Sequence, residues 1–367
     1  MDLTKQIIDD IGYYNITNKS MIVGSLSKNE FVKVTCSEPT ALIDMIKLFD
    51  GKTEINVISE YCVAHKINID LEQLIAVFSQ RGLFVDETPK MSSEIQKLGF
   101  KIFLKEFSYK KDKKLSWIAI LSGILTALIT LVSVVFCVIN FDSFIQLFNR
   151  ELLRYKNSYL LGIGVTLCVS IAVLLFHEAG HCLAASLCKI SIHRIGLYLY
   201  LGFMPKWFIS FRGIRVAENR KKIFVFSAGS LINLSMIFVM CAALIIFPQF
   251  EIGKCIIVSC MFMILNCLIP FSLTDGYFIF STLIRTDNIR DLMFRFIRNI
   301  GKKKFTKKSI MLIFYILVNF AFWIYKIYMF YFWIWNAFAS VNRYGIIVVT
   351  AIASVHLCLM IRAIRKK

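Results

Sequence analysis

Hydrophobic and polar positions fall into different regimes along the chain. Over residues 1–90 the apolar positions come in short, separated groups. Residues 21–26 and 31–35 alternate with the period of a strand and meet at Ser27-Lys28-Asn29, which predicts a hairpin. From Glu38-Pro39 the period lengthens to that of a helix through Leu42, Ile43, Ile46, Leu48 and Phe49, and Asp50-Gly51 closes it. A second helix, capped by Thr53 or Glu54, carries Ile55, Val57, Ile58, Cys62 and Val63. A third, capped by Asp70, carries Leu71, Leu74, Ile75, Val77 and Phe78. Gly82 ends it, and Leu83-Phe84-Val85 returns as a strand. Residues 1–90 therefore predict a small α+β, winged-helix-like domain in the cytosol.

Residues 91–114 read as a polar, basic connector with Lys101, Lys105, Lys110, Lys111, Lys113 and Lys114. Beyond it the pattern becomes continuous apolar runs, at roughly 115–139, 158–187, 221–248, 253–273, 309–338 and 344–364. Each is long enough to cross a hydrocarbon core of about 30 Å. The fifth is overlong and interrupted by Asn319 and Lys326. The predicted fold class is a polytopic α-helical membrane protein, with about six transmembrane helices over residues 115–367, behind the small domain. After the second run, residues 195–202 (Ile-Gly-Leu-Tyr-Leu-Tyr-Leu-Gly) and 203–209 are β-prone, predicting one or two strands at the membrane face.

Composition agrees with the runs: 57% hydrophobic residues and 33 Phe in 367 do not suit a soluble protein. The net charge of +19 is uneven, because residues 1–90 hold nine Lys/Arg against thirteen Asp/Glu, leaving about +23 for the remainder. Basic residues flanking apolar runs mark cytoplasmic loops. Loops 188–220 and 282–308 are basic, whereas 140–157, 249–252 and 339–343 are less so. An even number of spans then puts both termini in the cytoplasm, with Arg362, Arg365, Lys366 and Lys367 at the end of the chain. A net acidic first domain would repel phosphate, so the expected partner is the lipid bilayer and no nucleic acid. The first long apolar run starts only near Leu115, so no cleavable signal peptide is expected. None of the eleven Cys forms a CxxC pair, and they read as small buried hydrophobes.

The candidate chemistry sits inside the second run, at His177-Glu178-Ala179-Gly180-His181. On a helix, two histidines four residues apart project from one face and can take two corners of a tetrahedral zinc site. Glu178 beside them suits a general base acting on a metal-activated water. A third ligand is needed. His65 reads as a surface residue, and His193 and His356 lack acidic or histidine neighbours. Asp275, in Pro270-Phe271-Ser272-Leu273-Thr274-Asp275-Gly276, closes an apolar span, where a carboxylate is costly unless paired or metal-bound. Pro270 can break that helix, and Gly276 can let the backbone turn so that the Asp275 side chain faces inward.

The HExxH run and the acidic turn about a hundred residues on resemble the site-2 protease family of intramembrane zinc metallopeptidases. Further stretches carry the likeness. Arg220-Lys221-Lys222 leads into Phe226-Ser227-Ala228-Gly229-Ser230-Leu231-Ile232-Asn233, and Pro270 stands five residues before Asp275-Gly276-Tyr277, as in the peptide zinc metalloprotease branch. The resemblance covers about 157–285 and implies a site-2-protease-like core with Zn2+ held by His177, His181 and Asp275 and with Glu178 catalytic. Ile269 stands where that branch has Asn before the proline, with Asn266 the nearest Asn. Asn233, Asn266, Pro270 and Gly276 are the candidate substrate-binding positions; Asn233 could instead join two helices by a hydrogen bond. No PDZ-like insertion separates the motifs.

The small domain carries its own likeness. Leu48-Phe49-Asp50-Gly51-Lys52-Thr53, then Phe78 followed by Gly82-Leu83, is similar to the PqqD-type peptide-recognition domain. That likeness implies a leader peptide added as an extra strand at residues 1–90. Together the two resemblances imply a membrane zinc metalloprotease that processes a ribosomally synthesised peptide, with an export transporter as a further partner. Two other classes remain open: a non-catalytic peptide export or immunity component, and a regulated intramembrane protease cleaving a transmembrane regulator.

Overall fold

The computed structural model describes residues 4–85, 99–108, 116–200, 204–268, 274–286 and 309–318, with short gaps at 18–19 and 149 and isolated positions elsewhere. The chain divides into two compact units. One comprises Met1–Leu125, Leu175–Leu231 and Phe278–Asn288; the other comprises Thr126–Leu174, Ile232–Tyr277 and Ile289–Lys367.

The first unit opens with β1 (Thr4–Gln6), β2 (Ile11–Thr17), β3 (Ser20–Ser25), β4 (Glu30–Thr35), α1 (Pro39–Lys47), β5 (Asp50–Glu54), α2 (Ile55–Ala64) and α3 (Leu71–Gln80). The predicted hairpin is β3–β4, closed where Ser25 faces Glu30. The three helices fall where the helical period put them. Asp70 caps α3, its carboxylate accepting from the Gln73 N–H at 3.0 Å. Glu54 stands at the N-cap of α2 but makes no side-chain cap bond.

Three strands in this region carry no clear hydrophobic signal. β2 adds antiparallel to β3, giving the order β2-β3-β4, and Gly12 and Asn15 interrupt its apolar alternation. β5, expected as a helix end and a cap, pairs antiparallel with β1 and contains no apolar residue (Asp-Gly-Lys-Thr-Glu). Its shape is set by Asp50, whose Oδ1 accepts from the N–H groups of Lys52 and Thr53 at 2.8 Å each. The returning strand is a bridge between Phe84 and Ile7, with the Val85 N–H donating to the Gln6 carbonyl. Met21, Val23, Leu42, Met45, Phe49, Ile58, Phe78 and Leu83 form one buried core beneath these elements.

The basic connector is corrected by a strand. β6 (Gly99–Glu106) pairs antiparallel with β7 (Ile192–Tyr200), which pairs in turn with β8 (Met204–Phe211). Lys101 and Lys105 alternate with apolar positions, so a strand pattern was masked by its charges. Glu106 lies opposite Arg194 across the ladder and pairs with it at 2.7 Å. β7 and β8 match the β-prone stretch after the second apolar run.

The helices that follow are α4 (Trp117–Ile139), α5 (Phe141–Leu147), α6 (Tyr159–Leu187), α7 (Asn219–Ile246), α8 (Ile252–Leu268) and α9 (Asp275–Ile284); α4, α6, α7 and α8 match the first four apolar runs, α5 falls in the loop expected at 140–157, and α9 follows the fourth run. Among the described helices, α4, α6 and α7 are long and apolar enough to cross a membrane. α8 covers the first part of the fourth run, and Ser309–Val318 is a shorter apolar helix from the fifth. The fourth run's end at 269–273, most of the remainder of the fifth and all of 344–364 lie outside the described residues. α4 exposes Trp117, Ile118, Leu121, Leu125, Leu128 and Leu131, an apolar surface suited to lipid.

In the second unit Cys137, Val173, Ile237, Cys241, Leu244, Ile257, Val258 and Cys260 pack as one core, and these cysteines are the small buried hydrophobes expected. Hydroxyls in these apolar helices are satisfied locally. Ser170 and Ser259 bond each other at 3.0 Å, and Ser259 donates to the Thr166 carbonyl at 3.1 Å.

Candidate metal centre

α6 is 29 residues of almost unbroken apolar character, and its C-terminal half holds His177, Glu178 and His181. The helical period sets His177 and His181 one turn apart, and both are buried, at 3% and 5% exposure. Their Nε2 atoms converge to 3.2 Å, with the rings perpendicular at 85°. Two nitrogens on one tetrahedral zinc, each at about 2.05 Å, would stand about 3.3 Å apart. The pair is thus already spaced for one ion.

α7 supplies the two features that make this geometry usable. The Val225 carbonyl lies 2.7 Å from His181 Nδ1. A carbonyl can only accept, so the Nδ1 position carries the proton and Nε2 keeps its lone pair for a metal. One turn further, Gly229 faces the pair. A Cβ there would fall 2.5 Å from His181 Nε2 and 2.6 Å from His177 Nε2, too close for any side chain. Glycine is the residue that leaves that space open.

Asp275 is the first residue of α9 rather than the last of a preceding helix. A carboxylate in the first turn is favoured by the helix dipole, which fixes it at a helix start. Gly276 is consequently the second residue of a helix and not a turn, which corrects its expected role. Phe278, one turn into α9, stacks on Phe226 of α7 with centroids 4.9 Å apart. In the second unit Cys267 is buried and Asp275 is half-buried.

The structure brings His177, His181 and Gly229 together within the first unit, whereas Cys267 and Asp275 belong to the second. No sequence signal separated Cys267 from the ten other cysteines; only its place next to Asn266 near the end of α8 does. Glu178 is half-buried beside the histidines. Asn233 is fully buried on α7, one turn beyond Gly229. Asn266 is half-buried on α8, and Pro270 lies outside the described residues. His65 is exposed and stacks on Tyr61, as expected of a surface residue, whereas His356 lies outside the described residues. His193 is buried on β7.

No family model, curated protein or solved structure matches the chain.

Proposed function

We propose that the chain is a membrane-embedded zinc metalloprotease that processes a ribosomally synthesised peptide recruited by its N-terminal domain. The observation that carries this reading is the buried His177–His181 pair, its Nε2 atoms 3.2 Å apart over the space left by Gly229. His177, His181 and Asp275 would hold the ion. A zinc ion bound there supplies a Lewis acid and an activated water at neutral pH. Glu178 accepts the proton of the attacking water and returns it to the leaving amine. The Val225 carbonyl holds His181 in the tautomer that ligates. Asn233 and Asn266, on α7 and α8, are the positions offered for holding the substrate backbone, with Pro270 and Gly276 bordering Asp275.

The membrane placement has its own support. β6 and β7 are hydrogen-bonded neighbours, so the chain between them must return to the side it left. Two of the long apolar helices, α4 and α6, lie between those strands, which suits two crossings. α6 has a length of about 43 Å, more than a hydrocarbon core of about 30 Å needs. His177 lies ten residues before its end at Leu187, about 15 Å, in the half nearer β7. With basic loops inside, the reading is a multi-pass protein of the cell membrane, with both termini and β6–β8 cytoplasmic.

A second reading rests on Cys267. Four protein ligands (two histidines, Asp275 and a thiolate) would close the coordination sphere, as structural zinc sites do. The chain would then be a non-catalytic export or immunity component. Two variants separate the readings. Glu178→Gln is expected to retain stoichiometric zinc and lower peptide processing by about 10²–10⁴-fold; unchanged processing in cells lacking other proteases would remove the protease reading. Cys267→Ser is expected to keep both zinc and processing if the site is catalytic, and to lose zinc if the site is closed.

A further inference from the structure

The soluble domain and the helix that shapes the metal centre are tied together by a set of specific contacts. β2 presents Tyr14 to the first turn of α7, where its hydroxyl donates to Asn219 Oδ1 at 2.6 Å. The Lys222 ammonium sits 3.8 Å over the same ring, on a side chain only 9% exposed. Just upstream, the turn of the β3–β4 hairpin grips the segment leading into α7. The Arg212 guanidinium donates to the Ser27 carbonyl and to the Phe107 carbonyl, and the Gly213 N–H donates to Asn29 Oδ1 at 3.1 Å. Gly213 adopts a left-handed conformation (φ +66°), and a Cβ there would meet Leu26 at 2.6 Å. Val216, in the single helical turn at Ile214–Val216, packs with Tyr14 and Leu26 against Ile16, Ile22 and Phe31.

These contacts fall on the face of α7 that serves the histidines. Asn219, Lys222, Val225 and Gly229 recur at helical spacing, so they share one side of the rod. From Asn219 to Gly229 the axis rises about 15 Å. Whatever sets the axial position and rotation of the first turn also sets the Val225 carbonyl against His181 and the gap at Gly229.

We propose that Tyr14 is a positioning residue for the metal centre: by clamping Asn219 and Lys222 it holds α7 in the register that orients His181 and keeps the ligand space open. The soluble domain is thus a working part of the site, and a peptide joining the free edge of β2 acts on the strand that carries Tyr14. This rests on reading the histidine pair as metal ligands.

The test uses the full-length protein in detergent, with cobalt(II) as the probe and hydrogen exchange over 219–229 as a readout that needs no metal. Tyr14→Ala is expected to weaken cobalt affinity about tenfold, the scale of losing an outer-shell partner. It is also expected to speed exchange in the first turns of α7. Tyr14→Phe keeps the ring over Lys222 and loses the hydroxyl, so it should fall between wild type and Tyr14→Ala. Asn219→Ala should be non-additive with Tyr14→Phe. Equal cobalt affinity, visible spectrum and exchange in wild type and Tyr14→Ala would overturn the proposal. Absence of cobalt binding by the wild-type protein would instead remove the metal reading. Exchange over 219–229 then decides alone whether Tyr14 holds α7.

Discussion

At the scale of single residues, Gly229 makes the sharpest demand. Its hydrogen atom faces the two imidazoles, and a methyl group would arrive at 2.5–2.6 Å from both Nε2 atoms. In a helix interior Gly→Ala is normally stabilising by about 1 kcal/mol. Here the clash outweighs that gain, so Gly229→Ala is expected to lower stability by about 1–3 kcal/mol and zinc affinity by at least about 100-fold, as measured by thermal melts and by competition with a chelator. Retained affinity would mean that the ion does not sit between the histidines. This residue also marks the limit of what the sequence discloses. His177, Glu178, His181 and Asp275 could be named because their chemistry is rare in an apolar run and its spacing is diagnostic. Gly229 belongs to a type that is common in such runs, and only the approach of α6 gives it a role. Gly276 misleads for a related reason. A glycine after a carboxylate looks like a turn until the helix that starts there is seen.

At the scale of elements, the long helices were legible and several strands were not. Continuous apolar runs announce α4, α6 and α7 without help from partners. β5 has no hydrophobic side chain, and β6 carries Lys101 and Lys105 among its apolar residues, so each is a strand only by virtue of the neighbour that pairs with it. The β6–β7–β8 sheet also holds a titratable group under constraint. His193 on β7 is 8% exposed, and burial, with the Arg212 and Arg194 charges adding to it, pushes its imidazole down to about 4. Its folded form is neutral over a range in which the unfolded chain, titrating near 6.5, takes up a proton. Protons then favour unfolding: stability is unaffected above pH 6.5 and falls as pH drops from 6.5 to 4, by up to about 3 kcal/mol. Thermal melts followed between pH 7 and 4 should record that loss, and His193→Gln should remove most of its slope. A slope unchanged in His193→Gln would place the sensitivity elsewhere.

At the scale of the whole molecule, the proposed topology keeps the N-terminal domain and the C-terminus on the cytoplasmic side. The prediction here concerns sidedness. Reporters fused at either end, active only in the cytoplasm, should both be active, while a reporter inserted at 249–251 between α7 and α8 should be silent. An active reporter at 249–251 would break the even-span topology. The soluble domain was the part whose outline the sequence conveyed best, because its helices are amphipathic and its hairpin turn is polar. The attachment of that domain to α7 could not be read at all. Tyr14 and Asn219 are separated by 205 positions, and neither residue type signals a partner.

The pairing of β6 with β7 also bears on how the protein is made. β6 ends at Glu106 and β7 begins at Ile192, so 85 residues must leave the ribosome before the strand meets its neighbour. At about 5–20 residues per second this leaves β6 as an open edge for roughly 4–17 s. On the proposed topology α4 and most of α6 would be entering the bilayer during that interval, with the unsatisfied N–H and C=O groups of the nascent strand on the cytosolic side. The lysines that hid β6 from its hydrophobic pattern are the residues that protect such an edge from joining another chain. They keep the waiting strand soluble until its partner emerges.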